Sequence, residues 1–226
     1  MVKAVIFDVD GTLVDSVDLH AQAWQDAFRE FGHEIAFEDL RSQIGKGGDQ
    51  LLPVFLNEKE LEAEGKELES YRSQVFKERY LSKVQRFPEV RELFERLRAG
   101  GVRTALASSA KGDELEHYKS LAQISDLTQE QTSSDDAEKS KPHPDIFEAA
   151  MARLRDVRAE DVVVVGDTPY DAEAANKAGI RAVGLLCGGW PEDALRQAGC
   201  VAVYKDCADL LAHYDAFIEA GNRPAA

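Results

Sequence analysis

Short runs of β-branched and aliphatic residues recur along the chain, separated by stretches with helical spacing. Five such runs predict strands, at residues 2–7, 102–107, 162–165, 181–185 and 201–204. The run Val162-Val163-Val164-Val165 is apolar at every position, as a central parallel strand covered on both faces must be. This alternation predicts an α/β protein with a Rossmann-like, doubly wound parallel sheet. In such sheets ligands lie outside the carboxyl ends of the strands, so the residues just after each run are the first candidates for chemistry.

Between Asp15 and Phe87 the strand signal disappears. Leu19, Ala23 and Ala27, with Trp24, Phe28 and Phe31, fall at helical spacing, and residues 58–81 are helix-rich and heavily charged. The block breaks the alternation directly after the first strand. It predicts an all-α cap over residues 15–87 inserted into a catalytic core of residues 1–14 and 88–226, with Trp24 and the phenylalanines as cap core. Pro88 suits a first helical turn, and Val90, Leu93, Phe94 and Leu97 form one apolar face after it.

Composition narrows the partners. The 226 residues carry a net charge of −15, which disfavours nucleic acid and anionic membrane surfaces, both of which are bound by clustered Lys and Arg. Three cysteines, Cys187, Cys200 and Cys207, lack metal-ligand spacing and read as reduced, buried thiols. The first ten residues contain acids and no basic-then-apolar leader, so the expectation is a cytoplasmic protein without an export signal or membrane span. Nothing in the pattern sets an oligomeric state.

The first strand runs into Asp8-Val9-Asp10-Gly11-Thr12, placing two carboxylates two residues apart at its carboxyl end. A solvated turn can also contain two Asp and a Gly. Other strand ends add Ser108-Ser109 and Gly166-Asp167-Thr168-Pro169-Tyr170-Asp171, and Lys141 precedes a helix in Lys139-Ser140-Lys141-Pro142. Two carboxylates about 4 Å apart repel by about 4 kcal/mol at an effective dielectric near 20, so Asp8, Asp10 and Asp167 brought together need a cation. Oxygen ligands favour a hard ion, and a phosphate substrate favours Mg²⁺. Lys141 can add a fixed positive charge, and Ser108 a hydroxyl donor, at a phosphoryl group.

These four ordered motifs, spanning residues 1 to 171, resemble those of the haloacid dehalogenase superfamily. Within it the chain is similar to the subfamily with a helical cap after the first motif, which includes phosphoglycolate phosphatases, small sugar phosphatases and β-phosphoglucomutases. The resemblance implies that Asp8 attacks phosphorus to form an aspartyl-phosphate, and that Asp10 serves as acid and then base. It implies a metal held by Asp8, the backbone carbonyl of Asp10, and Asp167, with Asp171 supporting the metal's waters or Lys141 from behind. Thr12, Ser109, Lys111, Lys46 and His20 are the candidate substrate-binding positions, Thr12 through ordering its loop. Lys46, in Gly45-Lys46-Gly47-Gly48, contacts the leaving group or is simply solvated, and His20 faces the cleft or is satisfied structurally; both pairs of readings stay open.

Departures from relatives bear on the reaction. Dehalogenases resemble the first motif but lack the acid found here as Asp10. Mutases carry Glu-Asp where this chain has Gly166-Asp167, polar residues at Ala110 and Gly112, and a cap arginine near Gly45-Lys46-Gly47. The expectation is a Mg²⁺-dependent phosphatase acting on a small phosphorylated metabolite. The alternatives are a phosphoglucomutase-like phosphotransferase and a non-catalytic phosphate-sensing module, whose signature would be a missing nucleophile.

Overall fold

A computed structural model describes residues 1–110 and 112–222. The strands are β1 (Ala4–Phe7), β2 (Val14–Asp15), β3 (Gln85–Arg86), β4 (Arg103–Ala107), β5 (Glu130–Thr132), β6 (Val162–Gly166), β7 (Arg181–Leu185) and β8 (Cys200–Tyr204). The helices are α1 (Val17–Glu30), α2 (Phe37–Arg41), α3 (Gly48–Phe55), α4 (Glu58–Val75), α5 (Val90–Ala99), α6 (Gly112–Leu121), α7 (Asp145–Arg153), α8 (Pro169–Lys177), α9 (Glu192–Gln197), α10 (Cys207–Ala212) and α11 (Tyr214–Asn222).

Six strands form one parallel sheet in the order β5-β4-β1-β6-β7-β8. The chain builds outward from β1 through β4 to β5, then returns to the other side of β1 with β6, so the topological switch lies beside β1. Alternate residues of β1 enter opposite layers. Val5 and Phe7 pack with Leu93, Phe94, Leu210 and Phe217, while Ala4 and Ile6 pack with Ile146, Phe147, Ala172 and Ala175. Phe7 stacks on Phe94 with ring centroids 4.7 Å apart. Both faces are thereby covered, which is why β6 can be apolar throughout.

The five predicted strands are present, β7 with the predicted ends and the others with an end moved by one or two residues. The short edge strand β5, Glu-Gln-Thr, escapes a hydropathy reading because its burial comes only from lying beside β4 and under α7. Pro88 is not in a first helical turn: it lies in a turn before α5, whose N-cap Glu89 adopts φ 59°. Residues 17–83 consist of helices and the loops that join them, with no named strand, and stand between the strands of an antiparallel ribbon, β2 with β3. These helices have a buried cluster of their own, including Trp24, Phe28, Leu40, Leu51 and Leu68. Helix α4 gives way at Phe76–Tyr80 to a π-helical turn, which puts Phe76 beneath His20 with ring centroids 3.9 Å apart. Among the described residues, no helix is long and apolar enough to cross a membrane.

Candidate active site

The backbone amide of Asp8 is bonded to the carbonyl of Val165 at 2.9 Å, so the chain leaves β1 alongside the end of β6. That pairing brings Asp8 beside Asp167, and α8 then brings Asp171 to the same point. The three carboxylates, each no more than 3% exposed, offer oxygens within 4.8 Å of one another. Gly11, at φ 77°, permits this closeness, since a Cβ there would lie 2.4 Å from an Asp167 carboxylate oxygen.

Lys141 enters the cluster from the loop before α7. Its Nζ donates to Asp8 Oδ1 at 2.6 Å and to Asp171 Oδ1 at 2.8 Å. The other oxygen of Asp171 accepts from the backbone amide and hydroxyl of Thr168, completing the N-terminal capping box of α8. A helix cap therefore fixes the carboxylate that orients Lys141. Asp171 thus holds Lys141, one of the two supporting positions expected of it, and also contributes a carboxylate to the acidic cluster.

The electrostatics follow from burial. Asp8 is pushed up to about 7 by burial, an effect that Lys141 opposes and the charges of Asp171 and Asp10 reinforce. Burial, then Asp171 and Asp8, hold Asp167 well above the carboxylate range, with only the Thr12 hydrogen bond and Lys141 pulling the other way. Lys141 is itself depressed by burial, but Asp171 and Asp8 outweigh this and leave it firmly cationic. One lysine cannot balance three buried carboxylates. Asp167 Oδ2 is buried with no hydrogen-bond partner among the described residues, whereas its Oδ1 accepts from Thr12 Oγ1 at 2.9 Å. An all-oxygen donor set with excess negative charge and an unsatisfied carboxylate oxygen fits a divalent cation.

Asp10 is turned to different partners. Its Oδ1 accepts from Ser16 Oγ at 2.6 Å and lies 2.9 Å from His20 Nε2. Burial alone would raise this carboxyl, but His20 and the two hydrogen bonds hold it at about 2. Arg72 Nη2 reaches His20 Nδ1 at 3.2 Å; a guanidinium only donates, so Nδ1 accepts and the ring proton on Nε2 points to Asp10. His20 therefore faces the cleft and is also satisfied structurally.

A cleft lined by Asp8, Asp10, His20, Lys46, Ser109 and Lys141, with Arg72 and Trp24 on its helical wall, joins these groups. Lys46 reaches it from the loop between α2 and α3; its Nζ donates to Gln43 Oε1 at 2.5 Å and sits 4.7 Å from the Tyr170 ring centroid. The glycines of that loop answer to close approach: a Cβ on Gly47 would collide with Ser140, whose amide donates to Asp49 Oδ2 at 3.1 Å. Ser108 is fully buried, its Oγ accepting from the Ala110 amide at 3.0 Å. Lys111 lies outside the described residues.

One placement corrects the sequence reading. Thr12 is fully buried with its hydroxyl committed to Asp167, so it orients an acid and does not meet substrate. Arg72 and Glu114 were missed: both come from charged helices whose spacing carries no motif, and only packing brings them into the cleft.

Residues 5–185 match a family model described as haloacid dehalogenase-like hydrolase. The chain is 31% identical, over 90% of its length and 94% of the relative's, to a phosphorylated carbohydrates phosphatase of Thermotoga maritima. It is 32% identical, over 79% of its length and 80% of the relative's, to a phosphoglycolate phosphatase of Nitrosospira multiformis. A solved hydrolase from Pseudomonas syringae superimposes with a TM-score of 0.86 at 28% identity, covering 95% of this chain and 98% of that one.

Proposed function

The chain belongs to the haloacid dehalogenase-like hydrolase family, and we propose that within it this protein is a Mg²⁺-dependent phosphatase of a small phosphorylated metabolite, working through an aspartyl-phosphate on Asp8. The observation that carries this reading is the bond from Lys141 Nζ to Asp8 Oδ1 inside a cluster of three buried carboxylates. It leaves a nucleophile flanked by a fixed cation, with a donor set for a hard metal ion opposite.

Asp8 Oδ would attack phosphorus in line, the bond to the leaving oxygen breaking as the new bond to Asp8 forms. Asp10, ionised in the free protein, would relay to that oxygen a proton brought by the substrate or solvent, then take one from the water that cleaves the aspartyl-phosphate. His20 and Ser16 hold the Asp10 carboxylate in place for both transfers. Lys141 neutralises charge on the transferred group, and Ser108 and Ser109 stand at the adjoining strand end to receive its oxygens. Asp8, Asp167 and the Asp10 carbonyl would hold Mg²⁺, with Asp171 beside them, and the ion would supply charge neutralisation at the phosphoryl oxygens. The helices of residues 15–87 act as a cap, hinged at the β2–β3 ribbon, that closes over the cleft and provides specificity.

Gly166 favours hydrolysis over the mutase alternative. A Cβ at this position would lie 2.5 Å from Asp171 Cβ, so the glutamate that mutases carry there does not fit this arrangement. Three free cysteines support a reducing, cytoplasmic setting.

The test is phosphate release from sugar phosphates, phosphoglycolate, pyrophosphate and nucleotides, with Mg²⁺ and with chelator. Mg²⁺-dependent release from at least one of these is expected, without any bisphosphate activator. Full activity in excess chelator overturns the metal assignment, and dependence on a sugar bisphosphate establishes the mutase.

A further inference from the structure

Arg72 is a cation in the cleft that the catalytic scheme does not use. It lies on α4, sharing the cleft with Asp8, Asp10 and Lys141. Its guanidinium carbon sits 5.0 Å from the Trp24 ring centroid and 5.7 Å from that of Phe76. Its one hydrogen bond among the described residues goes to His20 Nδ1, and its Nε is buried without a hydrogen-bond partner. No carboxylate of the described residues lies within ion-pair distance, although Glu69 stands one turn earlier on the same wall. Arg41, Arg79, Arg91 and Arg153 all pair with acids. With 42 acids to 27 bases in the chain, Arg72 does not lack a carboxylate because acids are scarce. Lys46, in the same cleft, likewise has an amide and an aromatic ring for partners and no carboxylate within ion-pair distance among the described residues, Glu173 acting on it from farther away.

A partly buried cation without a counter-charge is stabilised by an anion brought from outside. Its position says where that anion belongs. Arg72 stands one imidazole ring from Asp10, the group that on the reading above meets the leaving oxygen. We propose that Arg72 binds a second anionic oxygen group of the substrate, a carboxylate or a phosphate, carried one or two carbons beyond the scissile oxygen. This inference rests on the phosphatase reading for its orientation. It selects esters of short hydroxy acids, or short bisphosphates, over neutral sugar and alkyl phosphates. Arg72 is here a specificity residue: it grips the far end of the substrate and takes no part in the bond changes.

Calorimetric binding to the full chain with Mg²⁺ tests this without turnover. The ligands are ethylphosphonate, 3-phosphonopropionate and ethylenediphosphonate, in which a methylene replaces the scissile oxygen and only the group one carbon beyond it differs. The wild type is expected to bind one of the charged pair about 10- to 100-fold more tightly than ethylphosphonate, the one preferred telling carboxylate from phosphate. Arg72→Met removes that preference while leaving ethylphosphonate within about threefold, and Arg72→Lys restores part of it. Arg72→Gln, which keeps a donor for His20 but not the charge, gives the same loss and serves if the methionine variant fails to fold. Equal affinity of the wild type for all three ligands, or equal weakening of all three by Arg72→Gln, overturns the proposal. Charge-selective binding with no phosphate release from any ester would instead sink the phosphatase reading and leave the Arg72 site standing.

Discussion

Lys141 Nζ donates to Asp8 Oδ1 at 2.6 Å across 133 residues of sequence, and both side chains are almost wholly buried. The same ammonium holds Asp171, so removing it leaves Asp8, Asp167 and Asp171 facing one another without a bonded cation among the described residues. Lys141→Met is expected to lower kcat by about 10² to 10³. Without divalent cation it should also destabilise the fold by about 3–5 kcal/mol, the usual penalty for an orphaned buried charge. Urea unfolding with and without Mg²⁺ checks this: the stability loss should shrink in Mg²⁺, and a loss independent of the ion would contradict the electrostatic account.

The two carboxylates of the first motif separate by step. Asp8→Asn removes the nucleophile, and no phosphoenzyme should form with any substrate. Asp10→Asn keeps the nucleophile; with an aryl phosphate, whose leaving group needs little protonation, the first step survives while hydrolysis slows by about 10² to 10⁴. A burst of aryl alcohol and one added phosphoryl mass on the peptide containing Asp8 are the expected observations. The label on any other residue would show the nucleophile assignment to be wrong.

Stability should depend on pH and metal together. Asp8 moves from 3.8 to about 7 on folding, and Asp167 moves the same way. Raised carboxyls bind protons more tightly in the folded state, so without metal their penalty is absent well below pH 4 and grows as pH rises, that of Asp8 being complete above pH 7. Asp10, lowered to about 2, contributes stabilisation that is full above pH 4 and is lost as pH falls from 4 towards 2, outside that window. Mg²⁺ replaces the bound protons, and its effect on Tm should therefore be larger at pH 8 than at pH 5. Thermal unfolding at both values, with Mg²⁺ or chelator, reads this; a shift independent of pH would argue against the cluster as the binding site.

The loop carrying Lys46 should be sensitive to a single methyl group. Gly47→Ala places a Cβ against Ser140 and pushes the loop away from the segment that carries Lys141. KM should rise about tenfold with little change in Tm, because the collision lies at a surface contact and outside either core. Lys46→Ala should raise KM for the physiological ester more than for an aryl phosphate. Equal effects on both substrates would make Lys46 a solvated loop residue.

The sequence by itself determined the frame of the molecule, because strand and helix periodicities are local. The all-valine run of β6 could only be a strand covered on both sides, and the helical stretch after Asp15 could only interrupt the sheet. Asp8, Asp10 and Asp167 were legible as candidates because strand ends in a parallel sheet converge on one edge whatever the loops do, whereas Lys141, in the loop before α7, was legible only through the order of the four motifs. The tertiary structure decided what each side chain faces. Thr12 turns inward to Asp167 since β1 lies directly beside β6, a neighbour relation that no local pattern encodes. Asp171 joins the carboxylate cluster because the capping box of α8 fixes its rotamer. Arg72, one charge among many on α4, faces the cleft because the helical block folds back over the sheet, and side-chain direction across such an interface is set by packing between segments distant in the chain.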